Sequence, residues 1–200
     1  AHLIHPWYEV LQAQLLHRVA TLHEPQPHVI DLGAGSGRWA VRFLNEFPGG
    51  RITLVDRSAP FLELARVRLP HDRATLICSA LQDDWTLAVP RPAHAIVSMS
   101  AIHHLESHEK RRLYQRCFDS LTPGGLLLNG DEIRPSTQAE YLSVMQAWAG
   151  HMRSLINAQK VTPAMAQGLE KWCERNIERF EEPRQSGDDC HDTAETQLAM

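Results

Sequence analysis

No apolar run in this chain of 200 residues approaches the roughly 20 residues that a membrane-spanning helix needs. A membrane partner is therefore not expected. No secretory signal is visible at the start either, although residue 1 is Ala1 rather than methionine, so a trimmed start stays open. Basic residues are scarce relative to acidic ones, 20 against 24, for a formal net charge of −4. A general nucleic-acid binder is usually basic, which argues against DNA and disfavours RNA. The cluster Lys110-Arg111-Arg112 falls on an expected helix and reads as a solvated face. The four cysteines, Cys78, Cys117, Cys173 and Cys190, lack C-x-x-C and zinc-finger spacing. They read as free thiols in a reducing, cytoplasmic compartment, with Cys78 and Cys117 on core-facing positions. A hydrophobic content of 43% over this length suffices for one core and one domain.

What the chain does carry is concentrated in Val29 to Ala40, VIDLGAGSGRWA. Val29, Ile30 and Leu32 make a short buried strand, while Ala40, Phe43, Leu44 and Phe47 recur as one face of a helix. Gly33, Gly35 and Gly37 thus occupy a strand-to-helix turn, where glycine admits unusual backbone angles and leaves room for a ligand. A dinucleotide site requires G-x-G-x-x-G; here the third glycine's place is taken by Arg38, which disfavours a nicotinamide oxidoreductase. Asp31, just before the turn, suits a cationic amino group better than a pyrophosphate. At this point the chain resembles the class I S-adenosylmethionine (SAM) dependent methyltransferases, whose first motif is a strand followed by D/E-x-G-x-G-x-G.

Further pieces extend the resemblance from Pro27 to about Arg134. Arg51 to Val55 forms a second strand ending at Asp56, an acid at the distance where ribose hydroxyls are held; Arg57 adjoins it, and Ser58 caps the next helix ahead of Pro60. After a third strand, Ala74 to Cys78, the family often places a carboxylate that bonds the adenine amino group. This chain departs there with Ala80, leaving Asp83 or Asp84, a backbone carbonyl, or contact with Leu81 to hold the ring; a solvated loop is the alternative for the two acids. A fourth strand, Ala95 to Met99, contains Ser98 and runs into Ser100-Ala101-Ile102-His103-His104-Leu105, similar to the H-H-L of many small-molecule methyltransferases. Tyr114, Cys117, Phe118 and Leu121 give a helical face, ended by Leu121-Thr122-Pro123-Gly124-Gly125 before a strand from Leu126 to Asn129.

Strands alternating with helices imply right-handed crossovers and a parallel sheet. The resemblance implies an α/β, Rossmann-like doubly wound sheet of five parallel strands in the order 3-2-1-4-5. Ligands in such sheets lie beyond the carboxyl ends of the strands. The expected cofactor set is Asp31, Gly33, Ala34, Gly35, Gly37, Asp56, Arg57, Ala80, Leu81 and Ser98, joined by Tyr8, whose ring would face the sulfonium. A lid helix is expected within residues 1–24, entered through His5-Pro6-Trp7-Tyr8, with Leu11, Leu15, Val19 and Leu22 inward and Trp7 packed on the domain. The core is expected over residues 27–134 and a helical substrate cover over 135–182. That cover starts at the capping box Thr137-x-x-Glu140 and carries Tyr141, Val144, Met145, Trp148 and Met152, then, after Thr162-Pro163, Leu169, Trp172, Cys173 and Phe180. Residues 183–200 read as a polar tail and the start of a last helix. The family's sixth and seventh strands are not visible, which would leave the fifth strand as an edge.

Methyl transfer is mostly alignment of donor and acceptor in a water-poor pocket, with a base where the acceptor carries a proton. His103, His104 and Asp131 are the candidates, with Glu132 and His151 behind them. His104 and His108 are spaced as a metal pair, but no third ligand is visible and no metal is expected. The resemblance implies a cytoplasmic enzyme, monomer or homodimer, that methylates a small organic acceptor and releases S-adenosylhomocysteine. An RNA-modifying methyltransferase, and a SAM-binding protein without methyl transfer, remain as alternatives.

Overall fold

The computed structural model describes residues 7–90, 92–184 and 187–200; His5 and Pro6 lie outside the described residues. Five parallel strands, β1 (His28–Leu32), β2 (Arg51–Asp56), β3 (Ala74–Cys78), β4 (Ala93–Met99) and β5 (Leu121–Gly130), form one sheet in the expected order β3-β2-β1-β4-β5. Every residue of β1 is buried, because strands flank it on both edges and helices cover both faces. Leu32 stands level with Val55 and with Ser98, and Ser98 with Asn129, so four strands finish along one rim.

One face of the sheet is covered by α1 (Tyr8–Ala20), α2 (Arg38–Glu46) and α3 (Ala59–Arg68) through Leu15, Val19, Phe43, Leu44, Leu62 and Ala65. The other is covered by Trp85, Ile102, Leu105, and by Leu113 and Cys117 of α4 (Ser107–Ser120). Ser58 caps α3 as its position implies, its Oγ accepting from the Phe61 N–H with Pro60 in the first turn. The later helices α5 (Gln138–Asn157) and α6 (Pro163–Cys173) build small apolar clusters of their own around Met145, Met152, Leu169, Cys173 and Phe180. Thr137 and Thr162 cap them through their side chains. A short helix, α7 (Ala194–Leu198), follows, and its Gln197 meets Tyr114 and Asn129 of β5. No helix among the described residues is long and apolar enough to cross a membrane.

Several expectations are corrected. Leu121 already pairs with Ala93 while Leu126 pairs with Ala95, so Thr122-Pro123-Gly124-Gly125 bulges out within β5 rather than preceding it. Phe118 is 75% exposed; the buried stripe of α4 runs through Lys110, Leu113 and Cys117, one residue round from the expected face. Leu113 and Cys117 face the sheet, and segment 187–192, expected as part of a polar tail, lies against the first turns of the helix at Ser107 and Lys110. Lys110 Nζ reaches the Cys190 carbonyl and the Asp192 carboxylate (2.7 Å), so this lysine is buried instead of solvated. Asp189 and His191 are buried in the same segment. Cys78 is exposed because β3 is a sheet edge, and Val144 and Trp7 also face solvent.

Truncating one partner of a buried pair leaves the other charge uncompensated. Lys110→Ala should therefore lower unfolding stability in urea by about 3 kcal/mol, whereas Arg111→Ala on the exposed side should change it by less than about 0.5 kcal/mol. Equal small losses would mean that segment 187–192 does not depend on this pair.

Candidate functional site

Past the carboxyl ends of the strands, the glycine loop, the Ser100-Ala101 turn and the start of α3 enclose two adjoining cavities of about 500 and 430 Å³ that share Gly33, Gly35, Phe61 and Ser100. Each falls in the range of roughly 300–1,000 Å³ usual for small-molecule sites. One is bounded by Asp56, Arg57, Leu81 and His104. The other is bounded by Tyr8, Asp31, Ala34 and Arg38.

The loop's glycines do separate jobs. At Gly33, φ is +69° and a Cβ would lie 2.3 Å from that of Ala101, so the turn after β4 closes on this position only if it is glycine. At Gly35, φ is +53° and a Cβ would meet nothing within 4 Å, so this residue presents bare backbone to open space. Its N–H donates to Asp56 Oδ2 (2.7 Å), and Asp56 Oδ1 accepts from the Ser58 N–H (2.7 Å). Asp56 thus holds the glycine loop against the end of β2 while lone pairs remain for a ligand. Gly37 packs on Ala65, Leu54 and Leu69 and does not line the cleft. Ser98 is fully buried and donates to the Leu32 carbonyl (2.9 Å), and neither it nor Ala80 lines the cleft. Asp83 and Asp84 are exposed, and Gln82 and Leu81 stand at the wall instead.

Asp31 is buried, and no hydrogen bond reaches its carboxylate among the described residues. Burial and the negative charge of Asp56 push its pKa up to about 7. Tyr8 stands beside it; burial raises its phenol, against the nearby charge of Arg38. A bare glycine backbone, with an unsatisfied acid at one end and a second acid at the other, fits a ligand that carries an ammonium group and a ribose.

The histidines divide. His103 is buried: its N–H donates to Asp131 Oδ2 (2.8 Å), its ring Nδ1 lies against Asp131 Oδ1, and Glu132 Oε2 is 3.0 Å away. Burial opposes a charge here, but the hydrogen bonds to Asp131 and Glu132 outweigh it and hold the pKa near 10. His103 and Asp131 therefore lie behind the cleft wall rather than in it. His104 does line the cleft, with Nδ1 3.4 Å from Asp189 Oδ1; burial and the charge of His103 lower its pKa. His108 turns outward to Glu106 at 3.4 Å, and His151 does not line the cleft. Ser100 (φ +52°), within the stretch after β4 expected at the cleft, lines both cavities, and the residues not anticipated from the sequence are Phe61, Asp189 and His191. Phe61 alone had a signal, standing in the first helical turn after Asp56.

A family model described as "Methyltransferase domain" matches residues 29–125, from the first strand into β5. Over that span and in its strand order the chain is similar to the class I SAM-dependent methyltransferase superfamily. SAM is the cofactor of that superfamily. Among curated relatives, the chain is similar to trans-aconitate 2-methyltransferase of Paracidovorax citrulli, 35% identical over 103 residues that make up 50% of this chain and 36% of that protein. It is also similar to carboxy-S-adenosyl-L-methionine synthase of Aeromonas hydrophila, 29% identical over 64% of this chain and 53% of that protein. The chain thus spans about a third to a half of the length of these relatives. Among solved structures, Streptomyces venezuelae DesVI superposes with a TM-score of 0.55 at 25% identity, covering 66% of this chain and 53% of that one.

The raised pKa of Asp31 fixes a sign. The empty folded chain holds this proton more tightly than the unfolded chain, so Asp31's contribution to stability is present at low pH and is lost as pH rises from about 4 through about 7. Asp31→Asn should accordingly stabilise the ligand-free chain at pH 8 by a few kcal/mol and have little effect near pH 4, measured as paired urea midpoints. The same effect at both pH values would contradict a raised Asp31.

Proposed function

We propose that the protein transfers a methyl group from SAM to a small organic acceptor by in-line displacement, leaving S-adenosylhomocysteine. The observation that carries this reading is the buried Asp31 carboxylate, without a hydrogen-bond partner among the described residues, at one end of a glycine-lined cleft whose other end is Asp56. Asp31 takes the ammonium of the amino-acid end, and Asp56 accepts from the ribose hydroxyls. Leu81 and Phe61 wall the adenine, and the Tyr8 ring faces the sulfonium. SAM, when bound, supplies an electrophilic methyl group. The chain contributes alignment and exclusion of water, with His104, the histidine at the cleft wall, taking the acceptor's proton.

The name of the trans-aconitate methyltransferase relative supports a small acceptor and a formal charge of −4 agrees with it. The helices over residues 138–173 serve as the substrate cover, and residues 8–20 as the lid. A second reading, SAM chemistry other than methyl transfer, is favoured by the likeness to a carboxy-SAM synthase.

Incubation with methyl-labelled SAM and a panel of small hydroxy and carboxylic acids separates the two. Labelled acceptor with equimolar S-adenosylhomocysteine is expected; SAM turnover with no labelled acceptor would favour the second reading. In the productive reaction, His104→Ala should lower kcat about a hundredfold while leaving the SAM Kd within about threefold. SAM binding at pH 6 should release a proton, seen as a buffer-dependent heat, and Asp31→Asn should abolish the release and weaken binding by about tenfold or more.

A further inference from the structure

The polar cluster behind the cleft contains more ligating groups than the proposed methyl transfer uses. His103, on the turn after β4, Glu132, just past β5, and His191, in the segment 187–192, each present one donor atom within 4.8 Å of the other two. His104 and Asp189 form a second such trio with His103. These residues come from three separate parts of the chain, and none of their spacings suggests a metal motif in sequence.

His191 is the decisive member. It is only 7% exposed, its Nδ1 lies 2.7 Å from the Tyr141 hydroxyl, and its Nε2 is buried with no hydrogen-bond partner among the described residues. A network built only to hold the segment in place leaves that nitrogen unexplained, since a buried polar atom without a partner is destabilising. His103 likewise has its Nδ1 engaged by Asp131, with Glu132 Oε2 3.0 Å from the same nitrogen, which leaves Nε2 for an ion. Imidazoles that ligate metals characteristically have one ring nitrogen fixed by an outer carboxylate or hydroxyl partner, and Asp131 and Tyr141 occupy those places. Among the described residues, Asp131 and Asp189 make their ion pairs with His103 and His104 and with no lysine or arginine. Three carboxylates, of Asp131, Glu132 and Asp189, thus face the His103 ring.

We infer that His103, Glu132 and His191 bind a divalent transition-metal ion of the zinc and cobalt class. Two imidazole nitrogens and one carboxylate oxygen are a donor set characteristic of such ions. Donors around an ion of this kind lie about 3.5 Å apart, so the trio closes on it with side-chain adjustments of about an ångström. The approach is a cavity of about 460 Å³, bounded by Arg134, Tyr141, Asp189 and His191, distinct from the two that form the cofactor cleft. The ion would fasten segment 187–192 to the ends of β4 and β5.

The test uses the chelator-stripped chain titrated with Co²⁺ and then with Zn²⁺, read by calorimetry, visible absorption and thermal unfolding. One ion per chain is expected, with Co²⁺ bands of a low-coordinate nitrogen and oxygen site that Zn²⁺ displaces, and a raised Tm. His191→Ala and Glu132→Gln should each weaken Co²⁺ binding by tenfold or more, and Tyr141→Phe by about tenfold. His71→Ala, at an exposed position outside this cavity, should leave it unchanged. Absence of saturable binding and of those bands in the unaltered chain would overturn the site, whatever the variants do. So would tight binding that survives both His191→Ala and Glu132→Gln.

Discussion

Two carboxylates at the rim of the sheet organise the rest. The parallel register of β1 and β2 sets Leu32 level with Val55 and brings Asp31 and Asp56 to neighbouring strand ends. Asp56 spends part of its charge on the amides of Gly35 and Ser58, which fixes the glycine loop. Asp31 has no such outlet: it is buried, it feels the charge of Asp56, and its pKa rises to about 7. In the proposed reading the ammonium group of the cofactor relieves this unfavourable arrangement when it enters the cleft.

Behind that rim the two adjacent histidines have different surroundings. His103 faces inward among Asp131, Glu132 and Asp189 and joins the end of β5 to segment 187–192. His104 faces the cleft with its own ring nitrogen close to Asp189. One acid, Asp189, therefore contacts both rings, and the inner cluster shapes the wall against which the proposed reaction takes place.

The central fold was legible because periodicity and glycine spacing act locally. The buried β1, the cap at Ser58 and the order of the strands follow from residues close in sequence or from connections of one hand. The acidic, glycine-lined rim was legible for the same reason, since Asp31, Gly33, Gly35 and Asp56 stand at or just past strand ends. Segment 187–192 was not. Its composition is that of a solvated tail, and only long-range partners, Lys110 for Asp192 and Tyr141 for His191, turn it inward. Phe118 misled for a related reason: an apolar residue marks a buried face only when something covers that side of the helix, and here the cover lies over Lys110 instead. Gly37 and Ser98 match the motif in type and place, yet their surroundings are packing contacts and a backbone carbonyl.

Calorimetric titration of the folded chain with SAM, S-adenosylhomocysteine and NAD tests the central claim, that the acidic, glycine-lined cleft takes a SAM-type nucleoside. Saturable binding of the first two at one site per chain, with no heat from NAD, is the predicted result. Binding of NAD, or no binding of SAM to a chain shown by circular dichroism to be folded, would contradict it.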